Sequence, residues 1–426
     1  MNPASEGRPG EATLVRNMNS LLEVSKALGA EARLDSLLAV IVNKATEVME
    51  AERSSIFIYD DATETLCLRV SEDLAQGQIR VPLGVGIAGH VARTREPLNV
   101  PDAYADPRFS PQFDRDTGFQ TRSILCAPAL TNAGRLIGVI QVLNKVGRSA
   151  FTADDESLLA AFASIAGIAL DRARLVEAFL EKEKIESSLR LAHDIQMGML
   201  PKHFPQRPEI DLFATLRPAK SVGGDLYDFR LDGDRLWFVV GDVSGKGVPA
   251  ALFMAVTKVL FGVSVEVESS PAAALGRVNR ALCRENEHFL FVSAFLGRLD
   301  VRTGELEYAN AGHNLPYRLC GDGSVSTLPA SPGLVMGVND DFVYRTESAR
   351  LEPGDGVFLF TDGVTDAIDT KSELFSEARL EAFLGTTKGW SPVEVVAGAL
   401  RALDDFVGAA SQFDDITALS IRYRPD

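Results

Sequence analysis

Leu34, Leu37, Leu38, Ile41, Val42, Ala45, Val48 and Met49 recur at three- and four-residue steps, the period of a helix with one buried face. The pattern then becomes strand-like. Residues 55–59 and 65–70 read as strands about the polar turn 60–64, and 122–130 and 136–143 as a second pair about 131–135. A long helix starts near Thr152, with Thr152 as its N-cap and acidic residues in its first turn. Helix, strand pairs, a loop-rich middle and a closing helix describe an α+β domain over about 14–172. The polar, Pro- and Gly-rich residues before it are expected to be a floppy start.

Between 171 and 200 there is no proline, and Gly198 is the only glycine. Ile185, Leu189, Ala192, Gln196 and Met199 alternate steps of four and three, a short heptad seam. Upstream the same register falls on Ala178 and Lys182, so the seam is partial. Residues 173–200 are therefore expected to be a helical linker, read either as a plain surface helix or, preferably, as a helix pairing across a homodimer. Pro201, Pro205 and Pro208 end it. Beyond, strands are expected at 210–216, 225–231, 236–242, 291–300, 304–310, 356–361 and 416–423. Helices are expected at 249–265, 271–285, 372–384 and 392–407. Runs of strands broken by pairs of helices suggest two stacked sheets with helices outside, over 201–426.

The 426 residues are too many for one ordinary core, which agrees with two domains. A composition 46% apolar and 24% charged suits a soluble globular protein, and the longest apolar run, 158–170, is too short to span a bilayer. The four cysteines show no CxxC spacing, which argues against zinc or a disulfide framework and for a reducing cytoplasm. A net charge of −16 disfavours nucleic acid as a partner.

Four acidic motifs change the picture: GGDLYD (223–228), GDVSGKG (241–247), TDG (361–363) and FDDIT (413–417). Each places a carboxylate where an apolar strand meets a sharp change of backbone. Carboxylates gathered from distant strand ends repel one another unless they share a cation, and oxygen-only ligands select hard ions such as Mg²⁺ or Mn²⁺. No CxxxxxR loop is present, so water attack is a better route to phosphoester hydrolysis than a cysteinyl-phosphate. Alone, TDG or GDVSGKG is an ordinary turn; four in order are a metal-site pattern. Gly223 and Gly224 are expected to permit tight turns beside Asp225. Lys246 reads as a phosphate contact or, preferably, a solvated loop lysine. His313 reads as an acid near the leaving group or, preferably, a turn residue supporting the fold.

With AHDIQMGMLP, RPAKSVGGDLYDF, GDVSGKGVPAAL, NAGHNLPY, LFTDGVTDA and FDDITAL in order, residues ~190–424 resemble the PPM (protein phosphatase 2C-like) serine/threonine phosphatases, in their bacterial SpoIIE-like/RsbU-like branch. The resemblance implies an α-β-β-α sandwich with two Mn or Mg ions. Asp225, Asp242, Asp362 and Asp414 would be catalytic metal ligands, with Asp242 the bridge and the Val243 carbonyl a further ligand. Asp415 is the alternative to Asp414, since a one-residue slip exchanges them. Arg217 and Lys220 do not match the family's phosphate-binding arginine in spacing, and Asp366 stands where many relatives have Glu. By the same resemblance the substrate is a phosphorylated STAS-type anti-sigma-factor antagonist.

Residues ~14–172 resemble a GAF sensor domain, through GVGIAGHVARTREPLNVPDAYADPRF and GRLIGVIQVLNK. Asn144, Lys145, Phe151, Asp155 and Glu156 reproduce the NKFDE pattern of GAF domains that bind cyclic nucleotides. In such domains the motif mainly holds the fold, notably through a Lys–Asp ion pair. A cyclic nucleotide, another small-molecule signal and a purely structural dimer module all stay open. The whole reads as a cytoplasmic signalling phosphatase with no membrane contact. A catalytically silent phosphoprotein-binding or cyclic-nucleotide-sensing scaffold is the competing reading.

Overall fold

Leu37, Leu38, Ile41, Val42 and Ala45 are the buried face of α1 (Leu34–Val48), as the helical period requires. The computed structural model describes residues 33–71, 79–148, 150–284 and 286–425, with isolated positions between 18 and 30. The start of the first domain at residue 14 and the floppy opening stretch lie outside the described residues. The chain divides into two units, residues 1–185 and 186–426.

In the first unit β1 (Ala51–Asp60), β2 (Thr65–Ser71) and β3 (Arg80–Pro82) follow α1. After them come α2 (Gly86–Thr94), β4 (Leu98–Val100), α3 (Gln112–Thr117), β5 (Ile124–Leu130), β6 (Leu136–Lys145) and α4 (Ala153–Met199). The strands form one antiparallel sheet in the order β3-β2-β1-β6-β5-β4. One face packs Ile56 and Ile140 against α1 and against Phe162 and Ala166 of α4. The other packs Leu68 and Val139 against Ile87 and Val91 of α2. Strands alternate their side chains between faces, so each β-branched run can serve two cores. The closing helix and the expected linker are one continuous helix of 47 residues. Nothing between 171 and 200 gives the backbone a reason to stop.

The NKFDE residues are a brace. Asn144 has φ 59°, a left-handed conformation that asparagine tolerates better than most residues. Its amide donates to Glu52 (2.8 Å) and the Gln120 carbonyl (2.8 Å) and accepts from the Arg122 (2.6 Å) and Ser123 (3.2 Å) N–H groups. Buried Lys145 reaches Asp155 at 2.9 Å and the Met49 carbonyl at 2.9 Å, the ion pair expected from the sequence. Burial works against the Asp155 carboxylate, but the Thr152 N–H and Lys145 more than offset it and leave its pKa below the ordinary value. That contribution to stability is present above the ordinary carboxylate range and is lost as pH falls through the depressed value. Thr152 caps α4 as expected, its hydroxyl accepting from the Asp155 N–H at 3.2 Å. Phe151 is buried and Glu156 half-buried at the same corner. Lys145→Met strands Asp155 without its cation and is expected to destabilise the first unit by about 3 kcal/mol in urea unfolding of the full chain.

The second unit runs β7 (Ile210–Arg217), β8 (Leu226–Asp232), β9 (Arg235–Val243), α5 (Val248–Val267), α6 (Pro271–Arg284), β10 (Val292–Asp300), β11 (Glu305–Ala311), β12 (Tyr317–Leu319), β13 (Val325–Thr327), β14 (Glu347–Arg350), β15 (Gly356–Phe360), α7 (Asp362–Thr365), α8 (Ser376–Leu384), α9 (Pro392–Val407) and β16 (Ile416–Tyr423). Two five-stranded antiparallel sheets result, β14-β11-β10-β9-β8 and β13-β12-β15-β16-β7. Period-two alternation builds the layers. Phe238 and Val240 of β9 face Val357 and Leu359 of β15 in the core between the sheets. Trp237 and Val239 turn outward to α5 and α6, and Phe358 and Phe360 turn outward to α8 and α9. This is the expected α-β-β-α sandwich. The helix expected from 372 begins only at Ser376, because residues 368 and 374 are joined instead by a β-bridge.

Candidate metal centre and active site

Each of the four motifs occupies a strand end in the second unit. Asp225 immediately precedes β8, Asp242 and Val243 end β9, Asp362 opens α7 just after β15, and Asp414 and Asp415 immediately precede β16. The first pair belongs to one sheet and the second to the other. Hydrogen bonds join them. Oδ2 of buried Asp225 accepts from the Thr361 hydroxyl at 2.7 Å and the Thr417 hydroxyl at 2.6 Å, both from the opposite sheet. Thr361 Oγ1 also accepts the Thr417 N–H at 3.0 Å, so one small network closes the seam.

Electrostatics shows the same gathering. Burial, then the neighbouring Asp242 charge, holds the Asp225 carboxyl well above the usual carboxylate range, with Asp415 adding to the rise. Asp242 is raised by burial and then by Asp362, with Asp414 and Asp415 also contributing. Asp362 is raised by burial and then by Asp414. Asp242 therefore interacts with each of the other four aspartates. Among the described residues no three carboxylates, histidines or cysteines stand close enough together to chelate one ion as they are placed. The donor set still fits a hard divalent cation: Asp225 and Asp415 are buried and Asp242, Asp362 and Asp414 half-buried, all offer oxygen only, and a shared cation relieves the repulsion among them.

Asp414 and Asp415 differ in what they face. The Asp415 oxygens accept the Ala219 (2.8 Å) and Gly224 (2.7 Å) N–H groups, tying the 219–224 turn to β16. Asp414 instead meets Lys246 at 2.9 Å. Lys246 also donates to the Phe413 carbonyl at 2.7 Å and lies 3.6 Å from the Phe413 ring centroid. The solvated-lysine reading thus gives way to a lysine pinned on the FDDIT turn.

The glycines of GGDLYD are not there to supply a left-handed backbone. Neither Gly223 nor Gly224 has positive φ. They are needed for room: a β carbon on Gly223 would lie 1.9 Å from Asp415 Oδ2, and one on Gly224 2.6 Å from the Val243 carbonyl oxygen.

His313 is buried, its Nδ1 is 2.8 Å from Ser293 Oγ, and burial pushes its pKa down to about 4. The ring is neutral near pH 7. Its backbone closes a turn with Asn310, whose amide donates to the His313 carbonyl at 2.8 Å and accepts its N–H at 2.7 Å. This is the fold-supporting residue that the sequence favoured. Ser293 lies opposite Asp242 in the β9–β10 register, on the same face of the sheet, which puts His313 beside the acid cluster. Arg217 is committed to Asp404 on α9 at 2.6 and 3.2 Å.

Two functional groups escaped sequence reasoning. Thr361 and Thr417 stand inside the quoted motifs, yet only their positions on facing sheets reveal that they hold Asp225. The heptad spacing places Gln196 in the seam. It is buried instead, donating to the Gly223 carbonyl at 2.6 Å and accepting the Gly223 N–H at 3.1 Å. The C-terminal end of the seam is thereby used within the second unit.

A family model described as Stage II sporulation protein E (SpoIIE) matches residues 232–424, and a GAF domain model matches residues 33–170. Phosphoserine phosphatase RsbU of Bacillus subtilis (strain 168) is 30% identical over 245 residues, 57% of this chain and 71% of that protein. The chain belongs to the SpoIIE-like family of PP2C-type phosphatases. This SpoIIE-like chain is accordingly a metal-dependent protein phosphatase carrying a GAF domain. The SiaA-PP2C domain of Pseudomonas aeruginosa, 29% identical, superposes with a TM-score of 0.51 over 57% of this chain and 98% of that one. Dual 3',5'-cyclic-AMP and -GMP phosphodiesterase 11 of Drosophila melanogaster is 33% identical over 192 residues, 41% of this chain and 13% of that protein.

Proposed function

We propose that this phosphatase removes phosphate from phosphoserine or phosphothreonine on a small STAS-type anti-sigma-factor antagonist, using two Mn or Mg ions. Asp225, Asp242, Asp362, Asp414 and the Val243 carbonyl would hold the ions. Asp415 serves the turn beside them. The observation that carries this reading is the Asp225 carboxylate, bonded across the sandwich to Thr361 and Thr417 while facing Asp242. Bound ions would supply an acidified water and neutralise the phosphoryl oxygens. The chain's own part is to keep like charges together against their repulsion. Two threonine hydroxyls, the backbone donors on Asp415 and the packed sheets do that work. Lys246 adds a positive charge at the Asp414 edge, favourable to an arriving phosphate dianion. His313, buried and neutral, stays out of the proton transfers. The STAS-type partner rests on the likeness to RsbU-type phosphatases.

In this reading residues 14–172 form the sensor, 173–200 the helical linker and 201–426 the catalytic domain, and the protein works as a cytoplasmic homodimer. The described cysteines are free, in keeping with a reducing compartment. The sensor contains a cavity of about 390 Å³ that joins Arg53, Ser55 and Gln141 to apolar Phe57, Ile87 and Leu143. None of the five NKFDE residues lines it. A small molecule with a polar and an apolar side suits such a wall. A cyclic nucleotide is the candidate favoured by the likeness to the phosphodiesterase, and calorimetry of the full chain with cAMP and cGMP tests it. Heat from neither removes that version.

The catalytic reading is tested by phosphate release from a phosphoserine-bearing STAS-domain protein. Turnover is expected with Mn²⁺ or Mg²⁺ and is expected to vanish with EDTA. Equal turnover in EDTA would refute the metal assignment. Release from p-nitrophenyl phosphate alone would refute the partner.

A further inference from the structure

A cavity of about 250 Å³ lies beside the acid cluster, walled by the C-terminal end of α9, by α7 and by the FDDIT turn. Two of its lining residues, Gly363 and Asp414, belong to the TDG and FDDIT motifs themselves, so cavity and cluster share a wall. Its apolar surface comes from Ile368, Leu403, Val407, Ala410, Phe413 and Ile416. Leu403 and Ile416 are buried, whereas the Phe413 side chain is 68% exposed.

The polar groups on this wall are largely spent on one another. Arg217 holds Asp404 through two bonds, and Gln412 Nε2 donates to the Arg217 and Asp414 carbonyls at 2.9 and 2.8 Å. Asp414 meets Lys246, and the Thr365 hydroxyl donates to Asp366 at 3.3 Å. A polar or charged visitor would have to displace these bonds or leave its own groups unpaired, and burying an unpaired polar group is costly. An aliphatic visitor gains apolar contact and disturbs none of them. The volume also limits the occupant. Pockets for whole small ligands begin near 300 Å³, so this one suits a single side chain.

We infer that the cavity is a specificity pocket for the phosphoprotein, and that it receives one uncharged aliphatic side chain one to three residues from the phosphoserine. The inference rests on the proposed reading of the acid cluster as the catalytic centre. Continuity with that centre selects the occupant. A phosphoserine held at the cluster brings its own flanking residues past the shared wall, and an extended chain advances only about 3.5 Å per residue. Asp366, exposed on the same wall, disfavours an acidic neighbour at that position.

Seven-residue peptides with a central phosphoserine in an alanine background test the pocket, with leucine placed in turn at each flanking position. With the full chain and Mn²⁺, leucine at one position is expected to raise kcat/KM at least tenfold over the all-alanine peptide. Lysine or glutamate at that position is expected to give no gain. Ala410→Trp and Val407→Trp each place a ring in the cavity, and in both the leucine-to-alanine ratio is expected to fall close to one. The ratio is taken within one protein, so a change in basal rate cancels, and two variants guard against one that fails to fold. Leucine without effect at every position would overturn the inference, as would a leucine preference that survives in both folded variants. Lysine favoured over leucine would give the cavity to a cation and overturn the aliphatic assignment. Turnover of p-nitrophenyl phosphate but of no peptide would also overturn it. Absence of metal-dependent turnover on p-nitrophenyl phosphate and peptides alike would strike the catalytic reading itself, and the pocket with it.

Discussion

Asp242→Asn is expected to reduce metal-dependent phosphate release by on the order of 10³-fold, the scale reached when one preorganised electrostatic group is removed from an active site. Asp242 lies between Asp225 and Asp362 in the chain of repulsions, so its loss removes the charge through which both halves of the cluster act on a cation. Folding should not suffer. A carboxyl whose folded pKa is raised costs stability once the pH exceeds its unfolded value, and the cost is complete above the folded value. In EDTA at pH 8 the neutral asparagine should therefore melt no lower than wild type, with any advantage shrinking as the pH falls towards the ordinary carboxylate range. Mn²⁺ should raise the melting temperature of wild type far more than that of the variant. Scanning fluorimetry and a phosphate-release assay read both effects. Retained Mn²⁺-dependent turnover would remove Asp242 from the site.

Gly363→Ala is expected to cost about 3 kcal/mol and to weaken metal binding, because the added methyl has nowhere to go. A β carbon there would lie 1.9 Å from the Asp415 carbonyl oxygen and 2.8 Å from its carbon. These are backbone atoms, which cannot rotate away as a side chain can. Relief requires α7 to move off β16, separating Asp362 from Asp414. Gly198 on α4 is the control: a β carbon meets nothing within 4 Å, and alanine there should be neutral or up to about 1 kcal/mol stabilising. Urea unfolding and manganese calorimetry on both variants decide the matter. Indistinguishable Gly363→Ala and Gly198→Ala proteins would contradict the close approach.

The layers of the fold were legible because period-two and period-3.6 patterns survive wherever one face is buried. β16 matches its expected span of 416–423, and α9 its span of 392–407, helped by Pro392 and a Ser391–Glu394 capping box. What stayed hidden was short or relied on distant partners. Strands β3, β4, β12 and β13 have three residues each, too few for any period to show. The heptad seam misled over Gln196, because spacing cannot say whether a helix face meets another chain or its own domain. Gly223 and Gly224 looked like turn residues, since a glycine needed for close approach is indistinguishable in sequence from one needed for positive φ. The acids of the candidate site were visible as strand-end motifs. Their threonine supports were not, because Thr361 and Thr417 gain meaning only when two sheets face each other.

The bonds from Thr361 and Thr417 to Asp225 span 136 and 192 residues of sequence. Contacts of such separation close large loops and tend to form late on a folding route. A nascent or partly folded chain in which only one sheet has formed therefore lacks the assembled acid cluster, and should be unable to strip phosphate from its targets. Competence is expected only once both sheets have closed on each other.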